Sequence, residues 1–455
     1  MRKYITVVLL LVAIIQTSCK KVLDVTSPNE VADGTVFKNV AGLRSARIGM
    51  YSTLQSKSYY GGYYPLLAEC YSDNGTTGGY DVIDLTDIAN KAVSPSNIYT
   101  SAIYIQVYNS IYAANKIIEN ADKVPGTDAT ELSNIKGEAY FVRSLALFDL
   151  LRMFGEHWDN TSAYGISIVT STANAATPVK RSSVADSYKQ IIADAQQAVK
   201  LLNTDNGSKY ASQAAANALL ARVYLYQGNK AGAATAASLV INNSAYALLP
   251  AADLGKIYTQ KNTSESVFEL VFDQQNNSAY NGLTYVRDDA LRTDVAFLAA
   301  EDLNTFFTGR PTDDRSSLVD FVNVDQSIQP DGRTEKYRGE TTKDNSAYII
   351  RLAEVYLIRA EALGRVNGLA DLNTLRQHRG MAKLTAANVP SDATYLNAVL
   401  GERRAELNFE GHRLFDLART QKVAEVLGDE VNPVLPIPQS EISSTGGVVV
   451  QNKGY

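Results

Sequence analysis

The segment at 210–243 constrains the fold of this 455-residue chain more than any other stretch of the sequence. It reads YASQAAANALLARVYLYQGNKAGAATAASLVINN, with an alanine-rich half on either side of Gly228 and Asn229. Alanine favours helix and the Gly-Asn pair favours a turn, so each half is predicted to be a helix. Because small side chains let two helices approach closely, the segment predicts a tightly packed helical pair.

A second segment repeats this pattern further along the chain. The letters LARVYL at 220–225 recur as LAEVYL at 352–357, in a stretch where Asn367 and Gly368 predict another turn. A unit of about 34 residues made of two helices has the tetratricopeptide period. The two units predict a mainly α fold, an α-α superhelix with tetratricopeptide-like helix pairs as its scaffold, interrupted by insertions. The alternative is a chance likeness between two amphipathic helices.

Two further helices are predicted from capping residues and apolar spacing. At 129–153, Asp128 and Glu131 have the spacing of a helix cap followed by an acid, and the apolar residues step by three and four. At 184–202, Ser183 begins a similar capping box, and a similar apolar stripe follows it. The helical scaffold is therefore predicted mainly in the ranges 100–155, 183–243 and 347–420.

Three stretches between the helical blocks lack a helical pattern, namely 58–99, 155–182 and roughly 245–346. They are rich in Gly, Asn, Asp, Ser, Thr and Tyr. Loops of that length in a compact protein are usually functional surface or disorder. We therefore expect ligand or partner loops mainly in 58–99 and 245–346. A few short strands are also expected, one of them at 265–272, where the residues of ESVFELVF alternate.

The N-terminus has the features of an export signal. Two basic residues precede an uninterrupted apolar stretch at 7–15, which is shorter than the roughly 20 residues of a membrane-spanning helix. A small polar run then leads to Cys19, with Gln16 where leucine is usual, and resembles a bacterial lipoprotein signal. We predict a signal peptide at 1–18 and lipidation at Cys19, which would give a stable membrane anchor. An ordinary signal with an incidental cysteine is the alternative.

Cysteine usage follows from this interpretation. The chain has two cysteines, Cys19 and Cys70. If Cys19 is acylated, Cys70 has no disulfide partner, although two cysteines in an exported protein would otherwise be read as a bridge. We therefore predict that Cys70 is a small buried residue and not a reactive thiol.

Composition and motifs argue against several function classes. A net charge of −5 without a basic run is not typical of nucleic-acid binding. The sequence has no phosphate-binding glycine loop, nucleophile elbow, HExxH or CxxC motif. Three histidines do not support a histidine-based metal centre or triad, and His412 is interpreted as structural. We predict a protein that is not an enzyme and has no cofactor, with structural calcium in the Asp- and Asn-rich loops left open.

The densest charged segment is GERRAELNFEGHRLFDLAR at 401–419, which we interpret as one helix. Both signs are interleaved, and Arg403 and Glu406 have the i, i+3 spacing of an ion pair. We predict an ion-pair network that holds the C-terminal helices on the scaffold. The predicted structural residues are Arg403, Glu406, Arg413 and Asp416. The alternative is an anion site built from Arg403, Arg404 and Arg413.

Tyrosine is unusually frequent, with 27 residues against 12 phenylalanines and one tryptophan. It is densest in SYYGGYYPLLAECYSDNGTTGGY at 58–80, and a weaker cluster lies at 278–292. Aromatic rings stack on sugars or peptides while hydroxyls and amides hydrogen-bond, and such loops also suit protein partners. The candidate ligand residues are Tyr59, Tyr60, Tyr63, Tyr64, Asp73, Asn74, Tyr80, Tyr280, Asn281, Tyr285 and Arg287. A partner interface and plain loop packing are equally open alternatives.

Several segments together resemble the SusD/RagB family of nutrient-binding outer-membrane lipoproteins. The matching segments are the lipoprotein-like N-terminus, GEAYFVRSLALFDLLRMFGE (137–156), ANALLARVYLYQGN (216–229), YIIRLAEVYLIRAEAL (348–363), ERRAELNFEGHRLFDLAR (402–419) and a tail from LPIPQSEI to QNKGY. They span nearly the whole chain in the family's order. In the tail, Lys453 stands where the family usually has proline.

The resemblance implies a fold and a domain organisation. Members have a largely α-helical fold in which tetratricopeptide-like helix pairs form the scaffold and irregular segments carry the ligand surface. It implies a signal peptide at 1–18 followed by a single SusD-like domain at 19–455. Ligand residues of the family lie in variable loops without a transferable motif, so the resemblance assigns no site residue in this chain.

The resemblance also implies a function. It predicts a lipid-anchored protein of the outer membrane that faces the cell exterior and captures oligosaccharides for a SusC-like TonB-dependent β-barrel transporter. The alternative on the same scaffold is a binder of peptides or of another nutrient. A protein-interaction scaffold and a hydrolase are the remaining hypotheses.

Overall fold

A computed structural model describes residues 36–78, 82–173, 177–284, 296–321, 332–337, 342 and 344–455. The predicted signal peptide and the predicted lipidation site Cys19 lie outside these residues. Helix accounts for 56% of the structure and strand for 5%. No helix in the described ranges combines the length and the apolar character that crossing a membrane requires.

Sixteen α-helices lie in the described residues. They are α1 Val40–Leu54, α2 Tyr63–Cys70, α3 Ile83–Ala89, α4 Ile98–Asn120, α5 Ala129–Phe154, α6 Val184–Leu201, α7 Gln213–Gln227, α8 Lys230–Ile241, α9 Lys256–Thr259, α10 Tyr280–Thr284, α11 Glu301–Thr308, α12 Leu352–Gln377, α13 Asp392–Leu407, α14 Arg413–Arg419, α15 Val423–Leu427 and α16 Gln439–Ser444. Short 3-10 helices are at Ala121–Lys123, Ala251–Asp253, Asp314–Leu318 and Glu335–Tyr337.

Six short strands form three antiparallel pairs. The strands are β1 Gly75–Thr77, β2 Ser266–Leu270, β3 Phe297–Ala299, β4 Val319–Asp320, β5 Arg333–Thr334 and β6 Ala347–Arg351. The pairs are β1 with β3, β2 with β6, and β4 with β5. The predicted strand at 265–272 is confirmed as β2. All five residues of β2 and all five of β6 are buried, so this pair is part of the core.

Eight of the helices pack in a row in the order α1, α4, α5, α6, α7, α8, α12 and α13. Each inner helix of the row buries one face on the helix before it and another on the helix after it. Such stacking is typical of an α-α superhelix, in which neighbouring pairs bury a continuous core. The predicted mainly α fold with helix pairs as scaffold is confirmed.

Helix α5 lies inside this row, and its start follows the predicted cap. Asp128 Oδ1 accepts hydrogen bonds from the backbone N–H groups of Thr130 and Glu131, at 2.9 and 3.1 Å. Every residue from 141 to 154 is buried, which is the burial expected of a helix with apolar residues on all faces. Charged side chains in this stretch are held by internal partners; Arg143, for example, pairs with Asp194 at 2.6 Å.

The helical pair α7 and α8 has the predicted turn between its halves. Gly228 ends α7 in the left-handed region, with φ of +88°, and Asn229 Oδ1 accepts a hydrogen bond from Gly232 N–H at 2.9 Å. Glycine tolerates this conformation because it has no Cβ. Helix α6 also begins as predicted, since Ser183 Oγ accepts a hydrogen bond from Asp186 N–H at 3.0 Å.

The predicted turn at Asn367 and Gly368 is wrong. Helix α12 is interrupted instead at Gly364, where φ is +70° and ψ is −179°. Gly368 has a different role, because a Cβ built there would lie 2.0 Å from the carbonyl oxygen of Ala360. It therefore lets the two halves of α12 pack in direct backbone contact.

Two other boundaries differ from the sequence prediction. The predicted loop at 58–99 contains α2, β1, α3 and the start of α4. The predicted single helix at 401–419 is two helices, since Phe409 and Gly411 adopt positive φ values of +60° and +79° between α13 and α14. The hinge lets α14 turn back and contact both α2 and α13.

Cys70 at the end of α2 is buried and free, as predicted. Burial raises the pKa of its thiol to about 12, partly offset by the nearby ammonium of Lys91. Only the thiolate is a nucleophile, so this side chain acts as a small apolar core residue.

Candidate functional site

Most of the predicted ligand tyrosines lie in the core. Tyr59 and Tyr60 are 0% and 5% exposed, and both hydroxyls donate to Asp149 Oδ2 at 2.6 Å. Burial raises the pKa of both phenols well above the ordinary value, and the nearby Asp149 carboxylate raises it further. These rings have no open face for a sugar or peptide, so their prediction as ligand residues is wrong.

Tyr64 completes this buried cluster. Its hydroxyl accepts a hydrogen bond from Arg152 at 3.1 Å, and the same guanidinium pairs with Asp149. The guanidinium also lies 4.5 Å from the centre of the Phe415 ring. A phenol or a charge leaves water only at a cost unless it gains partners, and here Arg152 Nη2 is the partner of both the Tyr64 hydroxyl and the Asp149 carboxylate. Tyr64 is therefore a core residue as well, and not a ligand residue.

The two predicted ligand residues on α10 are also internal. Tyr280 is 1% exposed, donates to the carbonyl oxygen of Tyr60 at 2.5 Å and stacks on Tyr337 at 4.2 Å between ring centres. Asn281 is fully buried and donates to the Tyr337 carbonyl oxygen at 3.4 Å. The surfaces of Tyr280 and Asn281 that a ligand would need are covered by neighbouring residues of the chain. Tyr80, Tyr285 and Arg287 lie outside the described residues and stay predictions.

Asp73 and Asn74 serve the C-terminal helices and not an open surface. Arg413 makes a bidentate pair with Asp73 at 2.7 and 2.8 Å, and Arg404 donates to Asn74 Oδ1 at 2.8 Å. Burial opposes ionisation of Asp73, but Arg413 and Arg404 outweigh it and hold its pKa below the ordinary value. The prediction of both residues as ligand contacts is wrong, because their polar atoms bind arginines of the same chain.

The charged segment forms the predicted ion-pair network, with different pairs. Arg403 pairs with Asp416 at 2.7 Å, which joins α13 to α14. Glu406 pairs instead with Arg379 at 2.9 Å and Arg351 at 2.8 Å. Burial opposes ionisation of Glu406, yet the surrounding arginines hold its pKa well below the ordinary value. The structural interpretation of this segment agrees with the geometry, whereas the i, i+3 pair of Arg403 with Glu406 is absent from the described contacts.

The structure offers no further support for a histidine or metal centre. His412 and His157 are buried, and burial together with neighbouring arginines lowers the pKa of each, that of His157 to about 3. Both rings are therefore neutral at physiological pH. Within the described ranges, no group of three or more His, Cys, Asp or Glu side chains is placed to hold a metal ion. Structural calcium stays a prediction without assigned ligands.

One predicted tyrosine does reach an open surface. Tyr63 begins α2 and is half-buried, and its ring lies 4.8 Å from the ring of Tyr99 at the start of α4. The ammonium of Lys57 lies 5.1 Å from the centre of the Tyr63 ring. These residues line a hollow of about 340 Å³ together with Leu85 and residues of 278–283. We call this hollow the Tyr63 pocket.

The Tyr63 pocket joins the two predicted ligand segments. Its far wall includes Ser278, Gly282 and Leu283, from the second tyrosine-containing segment. Ser278 Oγ is buried there and has no hydrogen-bond partner among the described residues. A Cβ added at Gly282 would meet no atom within 4 Å, so the glycine leaves the pocket open. Rings, a hydroxyl and an ammonium around a small hollow are suited to bind a polyhydroxylated ring.

Comparison with known proteins decides the family. A family described as "Starch-binding associating with outer membrane" matches residues 21–225, and the SusD family matches residues 321–455. The chain belongs to the SusD/RagB family. This SusD-like chain is 27% identical to the SusD-like protein P2 of Formosa agariphila over the full length of both. The family is one of carbohydrate-binding proteins associated with the outer membrane.

Solved structures share the fold of this SusD-like chain. A SusD superfamily protein from Bacteroides thetaiotaomicron has a TM-score of 0.79 and 26% identity, covering 91% of this chain and 99% of its own. A protein described as a laminarin-binding SusD-like protein has a TM-score of 0.78 and 25% identity, covering 92% of this chain and 100% of its own. Both have the helix-rich architecture predicted from the repeats.

Sequence reasoning missed Lys57, Tyr99 and Ser278 of the Tyr63 pocket. Tyr99 lies at the edge of the predicted loop 58–99, and no local pattern separates it from other tyrosines. Lys57 immediately precedes the segment 58–80, and Ser278 is the first residue of the segment 278–292; that position is the one signal that could have found them.

Proposed function

We propose that this chain is a cell-surface lipoprotein that binds an oligosaccharide and delivers it to a SusC-like TonB-dependent transporter. The observation that carries the proposal is the Tyr63 pocket, where two half-buried rings, a lysine and a buried hydroxyl lie around one hollow. The match to a family described as starch-binding supports a sugar as its ligand. The laminarin-binding neighbour supports a glycan over a peptide as the ligand class.

The pocket suits a single sugar unit of a longer chain. Its volume of about 340 Å³ is at the lower end of the range of roughly 300–1,000 Å³ for small-molecule sites. The apolar face of a sugar would pack on Tyr63 and Tyr99, and its hydroxyl groups would hydrogen-bond with Ser278 and Lys57. Such contacts hold a ligand without activating a bond in it, so the protein binds and releases the glycan unchanged.

The first test measures glycan affinity of the Tyr63 pocket. We expect Tyr63→Ala to weaken binding of the cognate hexasaccharide by about tenfold, or ~1.4 kcal/mol, because the ring loses its stacking surface. Gly282→Leu should weaken binding similarly by filling the hollow. Isothermal titration calorimetry with maltohexaose, laminarihexaose and a set of short peptides checks both variants and separates glycan from peptide ligands.

Tyr224→Ala is the matched control, because Tyr224 is a half-buried tyrosine of α7 whose hydroxyl accepts a hydrogen bond from Gln196. It should bind like the unsubstituted protein. Unchanged affinity of Tyr63→Ala and Gly282→Leu would remove the pocket from the proposal. Release of shorter products from labelled hexasaccharide would instead support the hydrolase hypothesis.

Anchoring and delivery need separate experiments. Mass spectrometry of the mature N-terminus should find an acylated Cys19, and an unmodified Cys19 contradicts the lipid anchor. Protein purified from native membranes in detergent should bring down a TonB-dependent β-barrel protein. Its absence under conditions that preserve other outer-membrane complexes contradicts the proposed partner.

A further inference from the structure

A second and larger cleft lies along α4. It has a volume of about 680 Å³ and is bounded by α4, the extended segments at 167–171 and 177–179, and the C-terminal helix α16. Its walls include Tyr104, Tyr108, Tyr112 and Glu441. We call it the α4 cleft, and none of the predicted ligand residues lines it.

The tyrosines of the α4 cleft form an aromatic wall whose exposure to solvent increases along the helix. They follow one another by four positions, so they share one face of the helix. Tyr104 is 4% exposed, Tyr108 is half-buried and Tyr112 is 42% exposed. Tyr108 donates to the carbonyl oxygen of Ser167 at 3.0 Å and lies 4.9 Å from Tyr104, ring centre to ring centre. The inner rings are thus fixed, and the outer ring of Tyr112 is partly exposed, with the ammonium of Lys116 5.2 Å from its centre.

Apolar surface continues from Tyr112 on both sides of the cleft. Ile105 is 53% exposed and Val179 is 37% exposed, and both line the same hollow. Ile105 lies two helical turns before Tyr112, on the same face of α4. Isolated exposed apolar residues need no explanation, but three in one cleft of this volume form a surface that a ligand can cover.

Glu441 supplies a half-buried carboxylate at the other wall. Its backbone carbonyl oxygen accepts a hydrogen bond from Thr445 Oγ1 at 2.8 Å. Its carboxylate accepts no hydrogen bond and pairs with no cation in the part of the chain that the structure describes. Burial raises the pKa of this carboxyl above the ordinary value, as expected for an acid partly removed from water without a partner. A ligand with adjacent hydroxyl groups could donate hydrogen bonds to this carboxylate in place of water.

We infer that the α4 cleft is a second carbohydrate-binding site, in which successive sugar units of one chain pack on Tyr112 and Ile105 and donate hydroxyl hydrogen bonds to Glu441. The ligand class rests on the proposed function, whereas the location is independent of it. Tyr99 of the Tyr63 pocket and Tyr112 lie on the same helix, about 20 Å apart along its axis at 1.5 Å per residue. A rigid helix therefore carries both sites at a constant spacing.

The test compares two sets of variants in the full mature chain. The cleft variant carries Tyr112→Ala and Glu441→Gln, and the pocket variant carries Tyr63→Ala. Retention is measured by affinity electrophoresis in gels containing starch or laminarin. The cleft variant should lose at least fivefold in affinity for the retained polysaccharide, and a variant with all three substitutions should lose retention entirely.

Leu239→Ala is the matched control, because Leu239 on α8 is 59% exposed and lies outside the cleft. It should be retained like the unsubstituted protein. Tyr112→Phe should also be retained, since it keeps the stacking ring. Unchanged thermal unfolding of each variant ensures that a lost retention reports binding and not misfolding.

The outcomes separate the two proposals. If only the pocket variant loses retention, the α4 cleft is not a sugar site and this inference is overturned. If only the cleft variant loses retention, this inference stands and the assignment of the Tyr63 pocket falls. No retention of the unsubstituted protein by either polysaccharide overturns both. A cleft variant that keeps retention but no longer co-purifies with a β-barrel overturns the inference in favour of a protein interface.

Discussion

Two groups of tyrosines in this molecule differ in their exposure to solvent. Tyr59, Tyr60 and Tyr64 come from the densest tyrosine run in the sequence and are buried in the core. The tyrosines at 104, 108 and 112 are spread along a regular helix, and exposure increases along the series. A high density of tyrosines in the sequence is therefore a poor indicator of a binding surface in this fold. The hydrogen-bond partner of each tyrosine hydroxyl indicates better whether the ring is buried or exposed.

The physical reason is the cost of a buried phenol. In the first group, Asp149 accepts from two hydroxyls and Arg152 donates to the third, so burial leaves these hydroxyls satisfied. In the second group, the inner hydroxyl of Tyr108 binds a backbone carbonyl and the outer ring stays at the surface. Asp149 on α5 therefore allows tyrosines that would suit a ligand surface to be buried in the core instead.

The largest difference in stability between the two groups is expected from the loss of Asp149. Asp149→Ala removes the acceptor of two buried phenols and leaves the Arg152 guanidinium unpaired in the core. We expect a loss of about 3–5 kcal/mol in the free energy of unfolding, because an uncompensated buried charge is strongly destabilising. Denaturant unfolding followed by circular dichroism measures the change.

Glu441→Gln is the control from the second region. Its carboxylate has no partner among the described residues, so its loss should change the free energy of unfolding by less than about 0.5 kcal/mol. Equal destabilisation by the two substitutions would mean that Asp149 is not the centre of the buried cluster.

A smaller effect separates the hydroxyl groups of the two regions. Tyr60→Phe should cost about 1.5–3 kcal/mol, because a hydrogen bond to a charged acceptor is lost in a buried site. Tyr112→Phe should change stability by less than about 0.5 kcal/mol, because that ring is at the surface. Thermal or denaturant unfolding of the pair checks the difference, and a neutral Tyr60→Phe would contradict the structural role of the Asp149 cluster.

Chemical reactivity of the side chains gives the smallest but most direct contrast. Burial raises the pKa of Tyr59, Tyr60 and Tyr64 well above the ordinary value, so neither access nor phenolate formation favours their nitration. Among the described tyrosines, we expect tetranitromethane at pH 8 to modify Tyr112 first and to leave these three intact while the protein is folded. Peptide mapping by mass spectrometry locates the modified residues.

Cys70 provides an internal control for the same experiment. In a Cys19→Ser variant it is the one thiol of the chain. Because burial raises its pKa to about 12, it should react with a disulfide reagent at pH 8 after denaturation but not before. Rapid reaction in the folded protein would show that the region around α2 opens to solvent.

Local patterns predicted the helical scaffold well. The caps at Asp128 and Ser183, the turn at Gly228 and the strand within 265–272 all depend on neighbours in sequence, and each is present. The break in α12 at Gly364 was missed, because either of its two glycines could interrupt the helix and tertiary contacts select one. Gly368 was needed for close packing on Ala360, which no local rule includes.

The candidate site was predicted much less well, for a different reason. Among the predicted tyrosines that the structure describes, only Tyr63 lies in an open hollow, while Tyr59 and Tyr60 near it are buried. Asp73 was predicted as a ligand residue and instead pairs with Arg413, 340 positions away in the chain. Polar residues of one type look alike in sequence whether their partner is a ligand or a distant side chain.

The sequence by itself determined the helix pairs, the mainly α fold and the family, because apolar periodicity, caps and extended motifs are local in the chain. Only the tertiary structure decided which tyrosines are core and which are surface. That decision depends on Asp149 and Arg152 of α5, which satisfy the hydroxyls of Tyr59, Tyr60 and Tyr64 from 88 to 90 positions away in the sequence. Burial of a polar side chain is favourable only where a distant partner satisfies it, and the fold alone brings such partners together.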